Sequence, residues 1–167
     1  LDRFLNYVRF ETRPDDTNPS SPSSVEQMLF AERLTAELEK IGMEEVNLDG
    51  NGYVMATLPS NNGTEVPVIG FIAHMDTSPE APSANINPLV HSNYEGNDLV
   101  LNKERNIVLS PADFPELTAY GGKTIITSDG TTLLGADDKA GIAEIITACE
   151  HLIANPSLKH GKIRIAF

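Results

Sequence analysis

The sequence predicts an α/β fold in which apolar strands alternate with helices, and three parts of the chain support that prediction. Residues 66–73 (VPVIGFIA) are almost wholly apolar, which is typical of a strand covered on both faces of a sheet. Residues 25–41 repeat apolar side chains at helical spacing. Residues 139–154 are apolar nearly all round and predict a buried helix, which residues 162–167 follow as a further strand. Such alternation indicates packed layers of helices and strands.

The first long helix has start and stop signals. Residues 1–8 predict a short amphipathic helix, and residues 12–24 are rich in Pro, Ser and Asp, as loops are. Ser23 with Glu26 three positions later fits a capping box, and Gly42 fits a C-terminal stop. The predicted apolar stripe of this helix consists of Met28, Ala31, Leu34, Leu38 and Ile41.

Weaker strand signals lie in the middle of the chain, at residues 53–58, 107–109 and 124–127. Residues 75–100 carry Pro, Ser, Asn and Gly with little periodicity, so we expect a long surface excursion there. The 167 residues suffice for one domain with a sizeable core, and we find neither an internal repeat nor a linker to a second domain.

Composition excludes several classes of protein. The formal net charge of −12 argues against nucleic acid and anionic membrane as partners, because both attract basic surfaces. The single cysteine, Cys149, excludes an intrachain disulfide and is compatible with a reducing compartment. No apolar run has the length of a membrane helix, and the start of the chain does not have the pattern of a signal peptide. We therefore expect a cytoplasmic protein.

His74 and Asp76 follow directly after the apolar segment 66–73. Ligands of open α/β sheets bind beyond the carboxyl ends of strands, so His74 is placed to offer an imidazole nitrogen to zinc. Asp76 can orient that imidazole. A His-x-Asp pattern alone is weak evidence, and a purely structural histidine is the alternative.

Two adjacent acids, Asp137 and Asp138, open the buried helix within the segment GADDKAG. Carboxylates suit a helix N-terminus, and one of them is explained by capping alone. A second acid exceeds what capping requires, and carboxylate oxygens bind zinc and can span two metal ions. Lys139 could pair with one of the two acids.

Other candidate sites are weaker. Residues 121–124 (GGKT) end like a phosphate-binding loop, but Leu117 occupies the position that requires glycine, so we interpret the segment as a turn. The sequence assigns no chemical role to the remaining histidines or the cysteine: His91, His151, His160 and Cys149.

Taken together, these motifs resemble a known family. GFIAHMDTSPE followed by TLLGADDKAGIAEI is similar to the di-zinc metallopeptidases that include carboxypeptidase G. FLNYV, YVMATLPS, NINP and LSPADFPEL are similar to the branch of tripeptide aminopeptidases, so the resemblance extends over essentially the whole chain. It implies an α/β catalytic domain built on a mixed sheet with helices on both faces.

The resemblance also implies roles for individual residues. His74 would bind one zinc ion, Asp76 would orient His74, and Asp137 would bridge two zinc ions. The peptide bond between Asp137 and Asp138 would be cis. The implied activity is release of the N-terminal residue of a tripeptide by attack of a metal-activated water.

By the same resemblance, residues 1–167 are the N-terminal portion of the catalytic domain. The general base, the remaining zinc ligands and a lid domain that forms a homodimer would lie downstream of Phe167. We therefore expect the isolated chain to bind zinc weakly, to hydrolyse nothing and to expose apolar surface. A related di-zinc dipeptidase or amidohydrolase, and a non-catalytic binding domain that kept the fold, remain the alternatives.

Overall fold

The computed structural model describes all residues 1–167, which form two compact units. Unit 1 comprises Leu1–Pro79 and Gly135–Phe167, and unit 2 comprises Glu80–Leu134. The helices and strands, in chain order, are α1 (Asp2–Tyr7), α2 (Val25–Ile41), β1 (Glu44–Leu48), β2 (Val54–Leu58), β3 (Ile69–Ile72), β4 (Leu89–His91), β5 (Leu99–Asn102), β6 (Ile107–Leu109), a 3-10 helix (Pro115–Tyr120), β7 (Ile125–Thr127), α3 (Ala136–Ala154) and β8 (Ile163–Ala166).

Unit 1 is built on a four-stranded mixed sheet with the strand order β1-β2-β8-β3. β2 runs antiparallel to both β1 and β8, whereas β3 runs parallel to β8, with Phe71 opposite Ile165. The mixed sheet with its packed helices confirms the predicted α/β class, but in this chain the helices pack on one face of the sheet and not on both. β1 (EEVNL) was not predicted, because its polar composition hides a strand that pairs on one side only.

α2 begins and ends almost where the sequence signals place it. Gly42 closes the helix with φ 93°, a left-handed conformation that glycine adopts at little cost. The prediction of a Ser23–Glu26 capping box was wrong by one residue. The Ser24 hydroxyl accepts from the Gln27 amide, and the Gln27 side chain accepts from the Ser24 amide. Ser23 instead accepts a hydrogen bond from the Asp15 amide, which fixes the preceding loop.

The core of unit 1 lies between the helices and one face of the sheet. Alternate residues of β2 point into it, and they pack with the inward faces of α2 and α3. The opposite face of the sheet carries Met55, Thr57 and Arg164 and has no helix of this chain on it. The main fully buried side chains are Tyr7, Phe30, Leu34, Leu38, Ile142, Ile146 and Ile165.

β3 differs from the prediction of a strand covered on both faces. All four of its residues are exposed, and Ile72 retains 81% of its accessible surface. The reason is its position: β3 pairs with β8 on one side and with no strand of this chain on the other. The expected exposure of apolar surface is therefore present in the structure.

α3 is also less buried than its composition suggests. Ile142, Ile146 and Cys149 face the core, but Glu144 and Ala148 face solvent. The prediction of a helix buried all round was wrong, because one face of α3 has no neighbour in this chain. None of the helices combines the length with the apolar character that spanning a membrane requires.

Unit 2 consists of two small antiparallel strand pairs, β4 with β7 and β5 with β6. The strands β6 and β7 occur where the sequence predicted them. The excursion predicted for residues 75–100 is instead partly structured, because it contains β4 and the first half of β5. These strands are only three or four residues long, and the surrounding Pro, Asn and Gly residues hide their periodicity.

Candidate metal centre

The carboxyl end of β3 places His74 and Asp76 on the loop that leaves the sheet. His74 Nδ1 lies 3.0 Å from the Asp76 carbonyl oxygen and 3.1 Å from the Asp76 carboxylate. Both partners only accept hydrogen bonds, so Nδ1 is the nitrogen that carries the proton. The lone pair of the neutral ring is therefore on Nε2, which is the atom that faces away from Asp76.

The start of α3 supplies the two acids. Gly135 precedes the helix with φ 70°, and both Asp137 and Asp138 have non-helical backbone angles, with a cis peptide bond between them. Asp138 Oδ1 accepts a hydrogen bond from the Gly141 amide at 3.1 Å, which is the bond of a helix N-cap. The side chain of Asp137 is 93% exposed. The two acids thus have different roles, since Asp138 caps the regular helix and the Asp137 side chain takes no part in the cap.

The chain brings these residues together although 63 positions separate His74 from Asp137. His74 Nε2 lies 3.0 Å from Asp137 Oδ1, and the ligand atoms of His74, Asp137 and Asp138 all lie within 4.8 Å of one another. All three belong to unit 1. An imidazole nitrogen and two carboxylates form a donor set that zinc accepts.

The electrostatics of His74 reflect these neighbours. Partial burial disfavours the charged ring, but the hydrogen bonds to Asp137 and Asp76 outweigh it and raise the pKa of His74 above its ordinary value. With Nδ1 protonated, a neutral His74 would point its Nε2 lone pair at a carboxylate oxygen only 3.0 Å away. Two lone pairs at that distance repel unless a proton or a metal ion lies between them. The residues present therefore fit a metal cation.

Lys139 does not pair with either acid, contrary to the expectation from the sequence. Its side chain is fully buried, and Nζ donates a hydrogen bond to the Phe10 carbonyl oxygen at 2.6 Å. Burial lowers the pKa of Lys139 to about 8, although the charge of Glu11 opposes that shift. A charged side chain that follows two acids in sequence predicts an ion pair, and only the fold shows that it points inward.

The other singled-out residues lie away from the site. His91 lies in β4, not in a loop, with Nε2 3.0 Å from the Thr127 hydroxyl, and residues 121–124 form a turn. His151 lies in the last turn of α3, and Cys149 is buried in the core. Sequence reasoning assigned Asp138 no metal-binding position, although its oxygens lie in the cluster. Its adjacency to Asp137 was the available signal.

Comparisons with known proteins agree with the motifs. No family model matches the chain. Over all 167 residues the chain is 57% identical to peptidase T of Brevibacillus brevis and 58% identical to peptidase T of Geobacillus kaustophilus. It spans 41% of the length of each relative. The crystal structure of the aminopeptidase PepT from Bacillus cereus superposes with a TM-score of 0.64 at 25% identity, covering 99% of this chain and 34% of that one.

The sequence comparison and the structure comparison agree, because the first finds peptidase T and the second finds an aminopeptidase PepT. The matched length is the whole of this chain and less than half of each relative. Along its entire length, therefore, the chain is a homologue of a part of peptidase T, as its motifs predicted.

Proposed function

We propose that the protein containing this chain is a zinc-dependent aminopeptidase that releases the N-terminal residue of tripeptides. The single observation that supports it best is the convergence of His74, Asp137 and Asp138 in a homologue of peptidase T. An open cleft of about 580 Å³ is lined by His74 and Asp76, but not by Asp137 or Asp138. We further propose that the enzyme acts in the cytoplasm and forms a homodimer through a lid domain outside these residues.

Each residue of the site has a defined part in this proposal. Asp76 holds the proton on His74 Nδ1 and so keeps the Nε2 lone pair directed at the metal position. Asp137 has both carboxylate oxygens free of the helix and can face two ions. Zinc held there would supply Lewis-acid polarisation of the peptide carbonyl and activation of water.

The proposal also explains why the isolated chain is expected to be inactive. It offers one imidazole and two carboxylates, one of which already caps α3. A catalytic zinc ion takes three protein ligands and keeps one open position, so two ions need more groups than these. We propose that the general base and the other ligands lie in the part of the protein that this chain does not span.

The test compares the full-length protein with two site variants. We expect zinc-dependent hydrolysis of tripeptides, with little turnover of dipeptides or N-acyl amino acids. His74→Ala and Asp137→Ala should each lower kcat/KM by at least about a hundredfold. His151→Ala is the matched control, because His151 lies at the far end of α3.

Two outcomes would overturn the proposal. Preferred turnover of dipeptides or N-acyl amino acids would move the protein to a related hydrolase. Tripeptide hydrolysis that survives both site substitutions would remove the metal centre from the chemistry. Zinc-dependent turnover by the purified 167-residue chain would contradict the expected inactivity of the isolated chain.

A further inference from the structure

Three elements of unit 1 are anchored to one short piece of backbone, residues 10–12, which we name the brace. The Phe10 carbonyl oxygen accepts from Lys139 Nζ at 2.6 Å. The Thr12 carbonyl oxygen accepts from the Thr77 amide at 3.3 Å and from Gln27 Nε2 at 3.1 Å. The brace therefore joins the start of α3, the loop after β3 and the first turn of α2.

The anchoring points are adjacent to the candidate metal ligands. Lys139 directly follows Asp138, and Thr77 directly follows Asp76. At Gly135 the two segments come so close that an added Cβ would lie 3.0 Å from Thr77 Cγ2 and 3.8 Å from Lys139 Nζ. The two ligand-bearing segments thus contact each other and the same piece of backbone.

The burial of Lys139 is energetically unfavourable, which argues that its bond to Phe10 has a role. Its side chain has no exposed surface, and taking an ammonium group out of water carries a large desolvation penalty. The charge is partly compensated by the 2.6 Å hydrogen bond and by the Phe30 ring, whose centroid lies 5.6 Å from Nζ. An apolar side chain of the same length would fill the same space without this penalty.

We propose that Lys139 is a positioning residue for the metal centre. Through its bond to Phe10, it fixes the brace, and the brace in turn fixes the loop of His74 and Asp76 relative to Asp137 and Asp138. The proposal rests on the proposed function in one respect, namely that this cluster binds zinc. Its mechanical part, the restraint of the Thr77 loop, is independent of any metal.

The experiment uses the full-length protein with Lys139→Met, which keeps an unbranched apolar side chain only one atom shorter and removes the donor. Lys162→Met is the matched control, since Lys162 is only partly buried and its Nζ lies 3.7 Å from Glu45, on the face of the sheet opposite the helices. Hydrogen exchange of metal-free protein is followed at the Thr77 amide, with the Val54 amide, which donates to Phe167, as internal reference. Zinc affinity is then measured at a temperature at which every variant is folded.

We expect Lys139→Met to speed exchange at Thr77 at least about tenfold, to leave Val54 unchanged and to weaken zinc binding about tenfold. A purely structural lysine would not change zinc affinity in fully folded protein. If exchange at Thr77 stays within twofold of the wild type, or if Lys162→Met changes zinc affinity equally, the positioning role is refuted. Faster exchange with unaltered zinc affinity refutes it as well.

Two further outcomes keep the two proposals separate. If the wild-type protein binds no zinc, the proposed function fails, while exchange at Thr77 still decides whether Lys139 restrains the loop. If Lys139→Met does not fold, Lys139→Gln replaces it. The shorter amide of that variant cannot reach Phe10 at 2.6 Å, and the same two readouts apply with the same expected direction.

Discussion

The substitution Gly141→Ala is expected to leave the stability of the metal-free protein almost unchanged and to weaken zinc binding. In Gly141→Ala the new Cβ would lie 2.5 Å from Asp138 Oδ1 and 2.9 Å from the other two carboxyl atoms of that side chain. Ordinary contact begins near 3.4 Å, so the carboxylate would have to retreat by about 1 Å. Asp138 belongs to the candidate ligand cluster, and its displacement therefore disturbs the site.

The magnitudes nearly cancel in stability. Alanine within a helix is favoured over glycine by up to about 1 kcal/mol, and Gly141 lies in the first turn after the Asp138 cap. Loss of the N-cap bond from the Gly141 amide to Asp138 costs about 1 kcal/mol. We therefore expect the unfolding free energy of the metal-free protein to change by less than about 0.5 kcal/mol. Zinc affinity should fall about tenfold, because ligand positions tolerate errors of only about half an ångström.

The assay pairs urea unfolding of the metal-free protein with a zinc titration at neutral pH. Gly50→Ala is the matched control, since a Cβ there meets nothing within 4 Å and the backbone is not left-handed. Unchanged zinc affinity in Gly141→Ala would refute the reasoning, because it would mean that the position of the Asp138 carboxylate does not matter to the ion. A loss of several kcal/mol in stability would contradict the cancellation.

Three further predictions concern other parts of unit 1. Arg3→Ala should cost about 2 kcal/mol of unfolding free energy, because Arg3 bonds α1 to both α2 and α3, whereas Arg33→Ala should cost almost nothing; urea unfolding measures both. In metal-free protein the pKa of His74 is raised on folding, so the stabilisation by protonated His74 is complete below pH 6.5 and is lost as pH rises through the folded-state pKa. His74→Asn should abolish this pH dependence of the unfolding free energy. An equal pH dependence in both proteins would show that His74 is not its source. Ile72→Lys should reduce self-association and hydrophobic-dye binding of the isolated chain in light-scattering and fluorescence measurements, since Ile72 is 81% exposed on β3; an unaltered signal would place the sticky surface elsewhere.

Much of unit 1 was predictable because its signals are local. The bounds of α2 follow from an apolar period, a serine-containing start and Gly42, and each of these acts within a few residues. His74, Asp76 and Asp137 could be selected as candidate site residues because short motifs carry them. Their proximity could be inferred only through the family resemblance, since no local signal connects positions that lie 63 residues apart.

The failures have a common physical cause, which is that burial depends on neighbours. β3 has the composition of a central strand and lies at an edge of the sheet, and α3 has the composition of a core helix and exposes one face. The prediction for Lys139 was wrong in the opposite direction, because this charged residue next to two acids is fully buried. The composition of a segment indicates the surroundings for which it is suited. Its exposure shows whether these 167 residues supply those surroundings.

The close approach at Gly135 has a consequence for how the chain can vary in length. The chain leaves unit 1 after Pro79, two residues beyond Thr77, and returns to it at Gly135, and almost nothing fits between Thr77 and Gly135. Unit 2 is therefore inserted in the chain between two segments of unit 1 that contact each other. Residues can be added to or removed from Glu80–Leu134 without moving these two segments of unit 1 apart. The distance between the His74 and Asp137 side chains therefore does not depend on the length of unit 2.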